Sequence, residues 1–468
     1  MATVRVFRQY VHTPFLMLAG VEAGIFMLSV YAGAYLRFFG VAHAVRESIG
    51  PLLPRALAYA AIMLLSMLAL GLYQPRMRES SPAVLLRLGA AFALGGIAMT
   101  LLFYLIPTLY LGRGALALAG IMAFFVVGTV RPVFMHTVDE NPFRNRLLVL
   151  GAGVKAASMM QWLRRRSDQR DFRIVGFVPT EGDGEGIEAA RRIQVGEGLW
   201  DYCRTNQIDE VVVAMDERRS AFPTDQLLQC KMGGVRVTDV ASFFERETGK
   251  VKLDLLYPSW MIFSDGYQAG VAQAYLKRTF DILVSLLLLA LTWPVMLAVA
   301  LAIRVESGRA APVLFRQERV GQQGRIFHML KFRSMVVDAE SDGQARWAQQ
   351  NDMRITRVGR FIRKYRLDEL PQVFNVLRGD MSFVGPRPER QVFVDRLAAV
   401  LPYYVERHRV KPGITGWAQL HYPYGASEAD AREKLQYDLY YVKNYTLLLD
   451  LAILLQTVEV VLFGKGSR

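Results

Sequence analysis

Four long apolar stretches fill the first third of this 468-residue chain and constrain its fold more than any other feature. They cover residues 14–36, 56–73, 88–107 and 114–130. Each is long enough, or nearly so, to cross about 30 Å of hydrocarbon at roughly 1.5 Å per residue. The pattern predicts a membrane α-helical bundle and excludes a single soluble domain. Because 21% of the residues are charged, a wholly membrane-embedded chain is also a poor fit.

Basic residues flank these stretches unevenly. Eight arginines lie in the N-terminus, the second loop and the exit, against four in the alternate loops. Because cytoplasmic loops carry the excess of Lys and Arg, the bias predicts a multi-pass protein with both ends of the bundle in the cytoplasm. Glu22 is the single charge inside a stretch. It is interpreted as an interhelical hydrogen bond or a position near the edge of the span, with a functional polar site as the alternative.

Lysine and arginine exceed aspartate and glutamate by 14, which fits nucleic acid, an anionic membrane surface or phosphate-bearing substrates. The cations of the C-terminal part, described below, favour the last two, and no nucleic-acid partner is predicted. Only Cys203 and Cys230 are present, without a Cys-x-x-Cys spacing or a Cys/His cluster. The two cysteines therefore argue against a disulfide framework and a zinc site.

A middle segment alternates short β-branched runs with polar helical segments, which predicts a parallel α/β layer. The runs are residues 147–150, 173–178, 210–214 and 235–240. The first leads into the Gly-rich turn Gly151–Ala156, where glycines permit close approach to a pyrophosphate, as in a Rossmann-like fold. The acidic residue expected after the second strand is missing, so nucleotide binding and a structural or regulatory role both stay open.

A second kind of apolar segment follows at residues 282–303, with basic residues on both sides and Pro294 in its middle. Proline removes one helical hydrogen bond and clashes with the preceding turn. We interpret the segment as a re-entrant helix–break–helix, with an ordinary kinked span as the alternative. The apolar residues 446–463 are expected to form an interfacial helix.

Cations and an acidic pair are concentrated after this segment. Residues 312–321 and 324–335 read as two strands joined by a Gly-bounded turn, which places Lys331 and Arg333 in one hairpin. Arginines then recur every third residue from Arg354 through Arg360 to Arg366, beside apolar residues at helical spacing. This pattern predicts an amphipathic helix with a cationic face.

That helix is predicted to run into Asp368 and Glu369, because Pro371 disfavours helical backbone at Leu370. Carboxylates are disfavoured near a helix C-terminus, so the pair suggests function rather than helix stability. A carboxylate can bind Mg²⁺ and can attack phosphorus. Arg387 stands between two prolines, which stiffens its backbone for a bidentate phosphate contact.

The segment from Lys411 to Gln419 adds a Gly/Pro turn with a cation and candidate base-facing groups. With residues 277–281, 315–335, 365–380, 384–389 and 438–444, it resembles the bacterial sugar transferase family, the monotopic polyprenyl-phosphate phosphoglycosyl transferases. The resemblance covers about residues 270–468 and extends to the long, exopolysaccharide-initiating members with four N-terminal spans. It implies the cytoplasmic membrane of a bacterium, a UDP-sugar donor, an undecaprenyl phosphate acceptor and Mg²⁺.

Carried over by position, the family pattern makes Asp368 the nucleophile and a magnesium ligand, with Glu369 as its dyad partner. Further substrate-binding candidates are Lys331, Arg333, Arg354, Arg360, Arg387, Lys411 and Gln419. The membrane break, often Ser-Pro in the family, is Trp293-Pro294 here. We therefore expect three parts and a linker, with a homodimer through the N-terminal half.

The expected fold is a membrane α-helical bundle, a cytoplasmic Rossmann-like α/β domain and an α+β phosphoglycosyl transferase domain with a re-entrant membrane helix. Their predicted bounds are 1–143, 144–250 and 276–468, with the linker at 251–275 and the re-entrant helix at 282–303. Two other functions compete: a membrane-tethered nucleotide-sugar oxidoreductase or epimerase, and a non-enzymatic scaffold or regulator of polysaccharide export. The first needs a dinucleotide fingerprint and a Tyr-x-x-x-Lys pair, and the second leaves the acidic pair without a purpose.

Overall fold

We analysed a computed structural model of the chain. It describes residues 3–6, 9–39, 41, 43, 50–73, 81–138, 144–163, 172–196, 198–217, 222–264, 266–267, 270–308, 311–337, 354–422, 425 and 427–462. The chain divides into two compact units, Met1–Tyr257 and Pro258–Arg468. The boundary falls inside the segment 251–275 for which the sequence predicts a linker.

The first unit begins with an antiparallel hairpin and four long helices. The strands are β1 (Thr3–Val6) and β2 (Gln9–His12), and the helices are α1 (Thr13–Arg37), α2 (Leu52–Ala69), α3 (Ser81–Leu105) and α4 (Arg113–Val138). All four helices are long and apolar enough to cross a membrane, as the four stretches predict. A Cβ at Gly33 of α1 would lie 2.8 Å from the Ala115 carbonyl of α4, so glycine lets these two helices pack closely.

Glu22 of α1 is fully buried in this bundle, where it contacts one residue just after α2 and one residue of α4. It accepts a hydrogen bond from the hydroxyl of Tyr73 and lies 3.6 Å from Nη1 of Arg131. This contact confirms the interhelical interpretation. Arg131 and Arg87, two of the arginines counted as flanking residues, lie inside helices and are buried, with hydrogen bonds to the carbonyls of Leu72 and Leu70. Without these two buried arginines, the count of flanking arginines is six against four.

The predicted α/β layer is confirmed as a parallel four-stranded sheet in the order β4-β3-β5-β6. Its strands are β3 (Asn145–Leu150), β4 (Phe172–Val178), β5 (Glu210–Val213) and β6 (Arg236–Asp239). Its helices are α5 (Val154–Trp162), α6 (Leu199–Thr205), α7 (Thr224–Met232) and α8 (Val240–Thr248). Cys203 and Cys230 are buried in its apolar core, as two small hydrophobes.

The second unit contains the acidic pair. Its helices are α9 (Pro258–Phe263), α10 (Val271–Ser307), α11 (Arg357–Lys364), α12 (Gln372–Arg378), α13 (Gln391–Val400), α14 (Trp417–His421), α15 (Glu428–Asn444) and α16 (Leu447–Leu462). The predicted hairpin is confirmed as the antiparallel pair β7 (Leu314–Val320) and β8 (Ile326–Phe332). The short strands β9 (Ser382–Val384) and β10 (Gly413–Thr415) pair in parallel.

Helix α10 is the fifth helix that is long and apolar enough to cross a membrane. It is a single helical element that continues through Pro294, so the expected interruption of the helix is not observed. The hydroxyl of Thr292, two residues earlier, donates a hydrogen bond of 2.7 Å to the Leu288 carbonyl. A proline and a back-bonding threonine in one turn both favour a bend rather than an end of the helix.

One side of α10 packs against the rest of the second unit along much of the helix, whereas the opposite side does not. Near the start, Arg278 donates to the carbonyls of Val376 and Leu377, each at 2.6 Å. Near the end, Val299 and Ile303 are buried in a cluster with side chains of β8 and α11. Between the two contacts Val284, Leu288 and Leu289 also pack against the core of the unit. The apolar side chains on the other side of the helix are exposed, among them Leu286, Leu287, Leu291, Trp293 and Leu297.

The arginine-rich helix is shorter than predicted. Helix α11 begins after Thr356, whose side chain caps it, and ends at Lys364. Arg354 lies before the helix, because the neighbouring Ile355 forms a β-bridge with Met335. Arg366 lies after it, in left-handed backbone with φ of 54°. The predicted extent of 354–366 was therefore wrong at both ends.

Candidate active site

Asp368 and Glu369 lie in a short 3₁₀ helix, Leu367–Glu369, between α11 and α12. The expectation that they close the arginine-rich helix was wrong. That helix has already ended at Lys364, and the left-handed backbone of Arg366 separates it from the acids. Pro371 directly precedes α12 instead of terminating α11. The acids thus stand before the start of a helix, where carboxylates are favoured.

Glu369 is surrounded by three cations. Its Oε1 lies 3.1 Å from Nζ of Lys331 and 3.0 Å from Nη2 of Arg387, and its Oε2 lies 3.4 Å from Nη1 of Arg366. Burial alone would raise the pKa of Glu369, but these cations together hold it well below its usual range. Glu369 is therefore ionised at neutral pH, and its charge fixes Lys331 and Arg387 next to Asp368.

Asp368 is half-buried and differs from its neighbour. No hydrogen bond joins its carboxylate to another residue in the described part of the chain. Burial raises the pKa of Asp368, and the adjacent charge of Glu369 raises it further. The charges of Lys331, Arg363 and Arg387 oppose this rise but do not cancel it. A carboxylate that is desolvated, close to cations and not hydrogen-bonded is suited to nucleophilic attack.

The loop that carries Arg387 is anchored through its carbonyls. Those of residues 386, 387, 388 and 389 each accept a hydrogen bond of 2.9–3.0 Å from a distant part of the unit. The donors are the backbone N–H of Gly413, the side chains of Arg407 and Arg319, and the backbone N–H of Val320. Pro386 and Pro388 have no N–H group to donate, so the hydrogen bonds accepted by these carbonyls hold the loop, and with it Arg387, in place.

Arg333 is a buried cation with unused donors. Arg333 is only 7% exposed, and neither its Nε nor its Nη2 has a hydrogen-bond partner among the described atoms. Arg333 comes directly after the last residue of β8, two residues from Lys331. A buried guanidinium without an anion is costly, which indicates a site completed by a negatively charged ligand.

The structure does not bring every predicted site residue to the acidic pair. The backbone carbonyl of Arg354 accepts a hydrogen bond from Val336, and the side chain of Arg360 is exposed on α11. The pKa of Lys411 is lowered by burial and by the charge of Arg278, and the carboxylates beside it are Asp281 and Asp380, not the pair.

Gln419 lies on α14, where Nε2 is 3.5 Å from the Ile414 carbonyl and Oε1 is buried without a partner in the described structure. Two residues of the arginine run, Arg363 and Arg366, contribute charge to the site although sequence reasoning did not select them. Their three-residue spacing was the available signal. The contacts that Arg319 and Arg407 make with the loop of Arg387 carried no sequence signal, because they join residues that are distant along the chain.

The glycine-rich loop after β3 is filled by a carboxylate of the chain itself. Asp216 accepts hydrogen bonds from the backbone N–H of Val154 at 2.7 Å and of Lys155 at 2.9 Å, the first residues of α5. A Cβ at Gly153 would lie 2.0 Å from Oδ2 of Asp216, so glycine is required for this contact. The start of a helix is where a pyrophosphate would bind in such a loop. Its occupation by Asp216 disfavours nucleotide binding there.

A sequence model described as "Bacterial sugar transferase" matches residues 272–464. The chain is also similar to a UDP-N-acetylgalactosamine-undecaprenyl-phosphate N-acetylgalactosaminephosphotransferase of Aeromonas hydrophila, 44% identical over 52% of this chain and 56% of that protein. An undecaprenyl-phosphate glucose phosphotransferase of Komagataeibacter xylinus is 33% identical over 73% and 64%, respectively. A UDP-glucose:undecaprenyl-phosphate glucose-1-phosphate transferase of Escherichia coli K12 is 44% identical over 68% of each chain. The chain therefore belongs to the bacterial sugar transferase family.

Proposed function

We propose that the protein transfers a sugar 1-phosphate from a UDP-sugar to undecaprenyl phosphate and releases UMP, as the first step in assembling an exopolysaccharide or O-antigen-type glycan. A UDP-sugar and undecaprenyl phosphate appear in the names of two of its relatives, and undecaprenyl phosphate and glucose appear in the name of the third. The observation that carries the proposal is the position of an open carboxylate, Asp368, among the cations Lys331, Arg363 and Arg387. That arrangement suits a ligand with several phosphate charges.

The reaction has two half-reactions. A carboxylate oxygen of Asp368 attacks the β-phosphorus of the donor and forms an O–P bond. The bond from that phosphorus to the bridging oxygen breaks, and the oxygen leaves with the electron pair as UMP. A phosphate oxygen of the polyprenyl phosphate then attacks the same phosphorus and displaces the Asp368 carboxylate. Arg387 and Lys331 offset the negative charge of the phosphates in both steps.

The site fits a magnesium ion through Asp368. The oxygens of Glu369 are already engaged by cations, and no cluster of three or more His, Cys, Asp or Glu that could hold a metal occurs within the described ranges. Mg²⁺ is commonly held by one or two carboxylates together with substrate phosphates and water, so one open carboxylate is sufficient. When bound, the ion would neutralise charge on the diphosphate.

Among the other substrate-binding candidates, Arg333 has the strongest support, because it is buried without an anion. Arg360, exposed on α11, fits a contact with anionic lipid headgroups. Lys411 and Gln419 belong to the β9–β10 side of the unit, and we assign them to substrate binding only through the family pattern. Arg354 rests on the same pattern.

Helix α10 enters and leaves the bilayer on the cytoplasmic face in this proposal. A straight helix would separate Arg278 from Val299 by about 32 Å. However, Arg278 contacts Val376, and Val299 belongs to a cluster against which Leu370 packs. Val376 and Leu370 lie only six residues apart, around α12. A bend at Pro294 reconciles these contacts and leaves the exposed apolar side of the helix for lipid. The catalytic unit then faces the cytoplasm, where nucleotide sugars are available.

Cysteine labelling tests this topology. Tyr275 and Val305 are both exposed, one near each end of α10, and both native cysteines are buried. In Tyr275→Cys and Val305→Cys variants, an impermeant maleimide is expected to label both positions only when the cytoplasmic face is accessible. Labelling of the two positions from opposite faces would contradict the re-entrant arrangement and favour a fifth span.

An assay of UMP release tests the function. The full chain in nanodiscs is incubated with Mg²⁺, undecaprenyl phosphate and, in turn, UDP-glucose, UDP-galactose and UDP-N-acetylgalactosamine. At least one donor is expected to release UMP and form a lipid-linked sugar. Binding of NAD(H) without UMP release from any donor would instead favour the oxidoreductase alternative, which the filled loop at Gly153 already disfavours. The homodimer stays a prediction.

A further inference from the structure

A single buried arginine, Arg407, connects the loop that carries Arg387 to helix α15. Arg407 lies in a 3₁₀ helix, Tyr404–Arg409. Arg407 donates from Nη2 to the backbone carbonyl of Arg387 at 2.9 Å. Its Nε and Nη2 lie 3.0 and 2.8 Å from Oδ2 of Asp438 on α15, and its Nη1 donates to the hydroxyl of Tyr404 at 3.0 Å. Only the planar fork of an arginine side chain can make these three contacts together.

The surroundings of Arg407 place it behind the site, not in it. Arg407 is 6% exposed and Asp438 3% exposed, so their charges neutralise each other away from solvent and from any substrate. The contact that leads toward the site is the carbonyl of Arg387, the residue whose guanidinium pairs with Glu369. Arg407 can therefore influence phosphate binding only through the position of Arg387.

A buried ion pair can also serve stability alone, and the chain contains a matched example. Arg246 makes a bidentate pair with Glu210 in the α/β layer, with both hydrogen bonds at 2.9 Å. The two side chains are as buried as those of Arg407 and Asp438. This pair belongs to the first unit and involves none of the candidate site residues, so it serves as a control for stability effects.

We propose that Arg407 is a positioning residue for the transfer reaction: by holding the carbonyl of Arg387, it keeps the Arg387 guanidinium beside Glu369 for the donor phosphates. The inference rests on the proposed function. Between Pro386 and Pro388 the backbone has few donors of its own, so a lost carbonyl contact cannot be replaced within the loop. Loss of the Arg407 contact then lowers turnover without removing any group that touches the substrate.

A double-mutant cycle tests the inference. UMP release is measured for Arg407→Lys in the native background and in an Arg387→Ala background, with the most active donor of the panel and the full chain in nanodiscs. Arg407→Lys is expected to lower kcat by roughly 10- to 100-fold in the first background. In the second it is expected to cause little further loss, because the residue through which it acts is gone. Equal losses in both backgrounds, or no loss in the first, would overturn the inference.

Two further variants separate positioning from stability. Arg246→Lys is expected to lower the melting temperature without changing kcat for each folded molecule. Arg407→Met combined with Asp438→Leu removes both charges of the buried pair, which such sites tolerate for folding. It still leaves the Arg387 carbonyl unheld, so kcat is expected to fall as in Arg407→Lys. A folded double variant with wild-type kcat would overturn the inference even if Arg407→Lys does not fold.

Hydrogen exchange gives a readout that is independent of activity. Arg407→Lys is expected to speed exchange in peptides covering residues 383–391 without speeding it in the β7–β8 hairpin. If the wild-type chain released no UMP from any donor, the proposed function would fail, and the contact would be judged by exchange alone. Unchanged exchange at 383–391 would overturn the inference in either case.

Discussion

Asp216 in the α/β layer and Asp368 in the second unit are both aspartates next to the start of a helix, yet their carboxylates are used in opposite ways. Asp216 accepts two short hydrogen bonds from backbone N–H groups and fills the space beside Gly153. Asp368 has cations nearby but no hydrogen bond within the described chain, and burial raises its pKa. The first carboxylate completes a fold, whereas the second is left open for a reaction.

The buried arginines of the two units differ in the same way. Arg246 in the α/β layer has a bidentate carboxylate partner, Glu210. Arg333 in the second unit is equally buried, but two of its nitrogens have no partner among the residues described. A buried polar group with its partners in place indicates a structural role, whereas a buried cation without an anion indicates a site for an anionic ligand.

Asparagine substitution at the two aspartates is expected to give the largest contrast. Asp368→Asn removes the nucleophile with little change in shape, so UMP release is expected to fall by about 10⁴-fold or more at an unchanged or slightly higher melting temperature. Asp216→Asn loses charge-assisted bonds to α5 and is expected to lose about 1–3 kcal/mol of stability while keeping its turnover. The assay is UMP release together with thermal unfolding. Wild-type turnover in Asp368→Asn would remove the nucleophile assignment.

Methionine substitution at the two arginines tests the second half of the comparison. Arg333→Met removes an unpaired buried charge, so the ligand-free protein is expected to be at least as stable as wild type, while turnover falls by about 10²–10³-fold. Arg246→Met removes the bidentate partner of the buried Glu210 and leaves it only the Thr238 hydroxyl and the more distant Arg236, so it is expected to cost about 3 kcal/mol. Chemical denaturation and UMP release measure both effects. A destabilised Arg333→Met variant with normal turnover would make Arg333 a structural residue.

The smallest expected effect is a shift of the pH profile. Asp368 must be ionised to attack, and its pKa is raised above the ordinary value of 3.8, so UMP release is expected to fall with decreasing pH before a free aspartate would protonate. Glu369→Gln removes the like charge that raises this pKa, so the residual activity of that variant is expected to persist to lower pH. A shift toward higher pH would contradict the charge arrangement described for the pair.

Stability has its own pH dependence, with the opposite contributions of the two acids. The pKa of Glu369 is lowered, so its contribution to stability is present above the ordinary value of 4.5 and is lost as the pH falls toward the lowered pKa. The pKa of Asp368 is raised, so its ionisation destabilises the fold as the pH rises through that pKa. Glu369→Gln is therefore expected to reduce the acid sensitivity of unfolding.

Local patterns predicted much of this molecule because they depend on neighbours in sequence. The β7–β8 hairpin followed from two β-rich runs and a glycine turn, and the helices of the bundle followed from their apolar lengths. The Asp368–Glu369 pair was found by type and charge, and the structure gathers Lys331 and Arg387 around it.

Contacts between distant residues were not predictable. The carboxylate that fills the Gly153 loop comes from Asp216, 62 residues from the helix start that it caps. The limits of α11 are set by a bridge from Ile355 to Met335, which no helical periodicity reveals. Lys411 looked like a site residue from its motif, but the direction of its side chain depends on the packing of β9 against β10.

Trapping of the covalent intermediate tests whether Asp368 is the nucleophile. The chain is incubated with Mg²⁺ and a UDP-sugar labelled at the β-phosphate, without undecaprenyl phosphate, and then quenched and digested. The label is expected on the peptide that contains Asp368, in an amount matched by released UMP, and to be discharged when undecaprenyl phosphate is added before the quench. Asp368→Asn is expected to retain no label. Transfer to lipid at the normal rate without any label on this peptide would contradict the account.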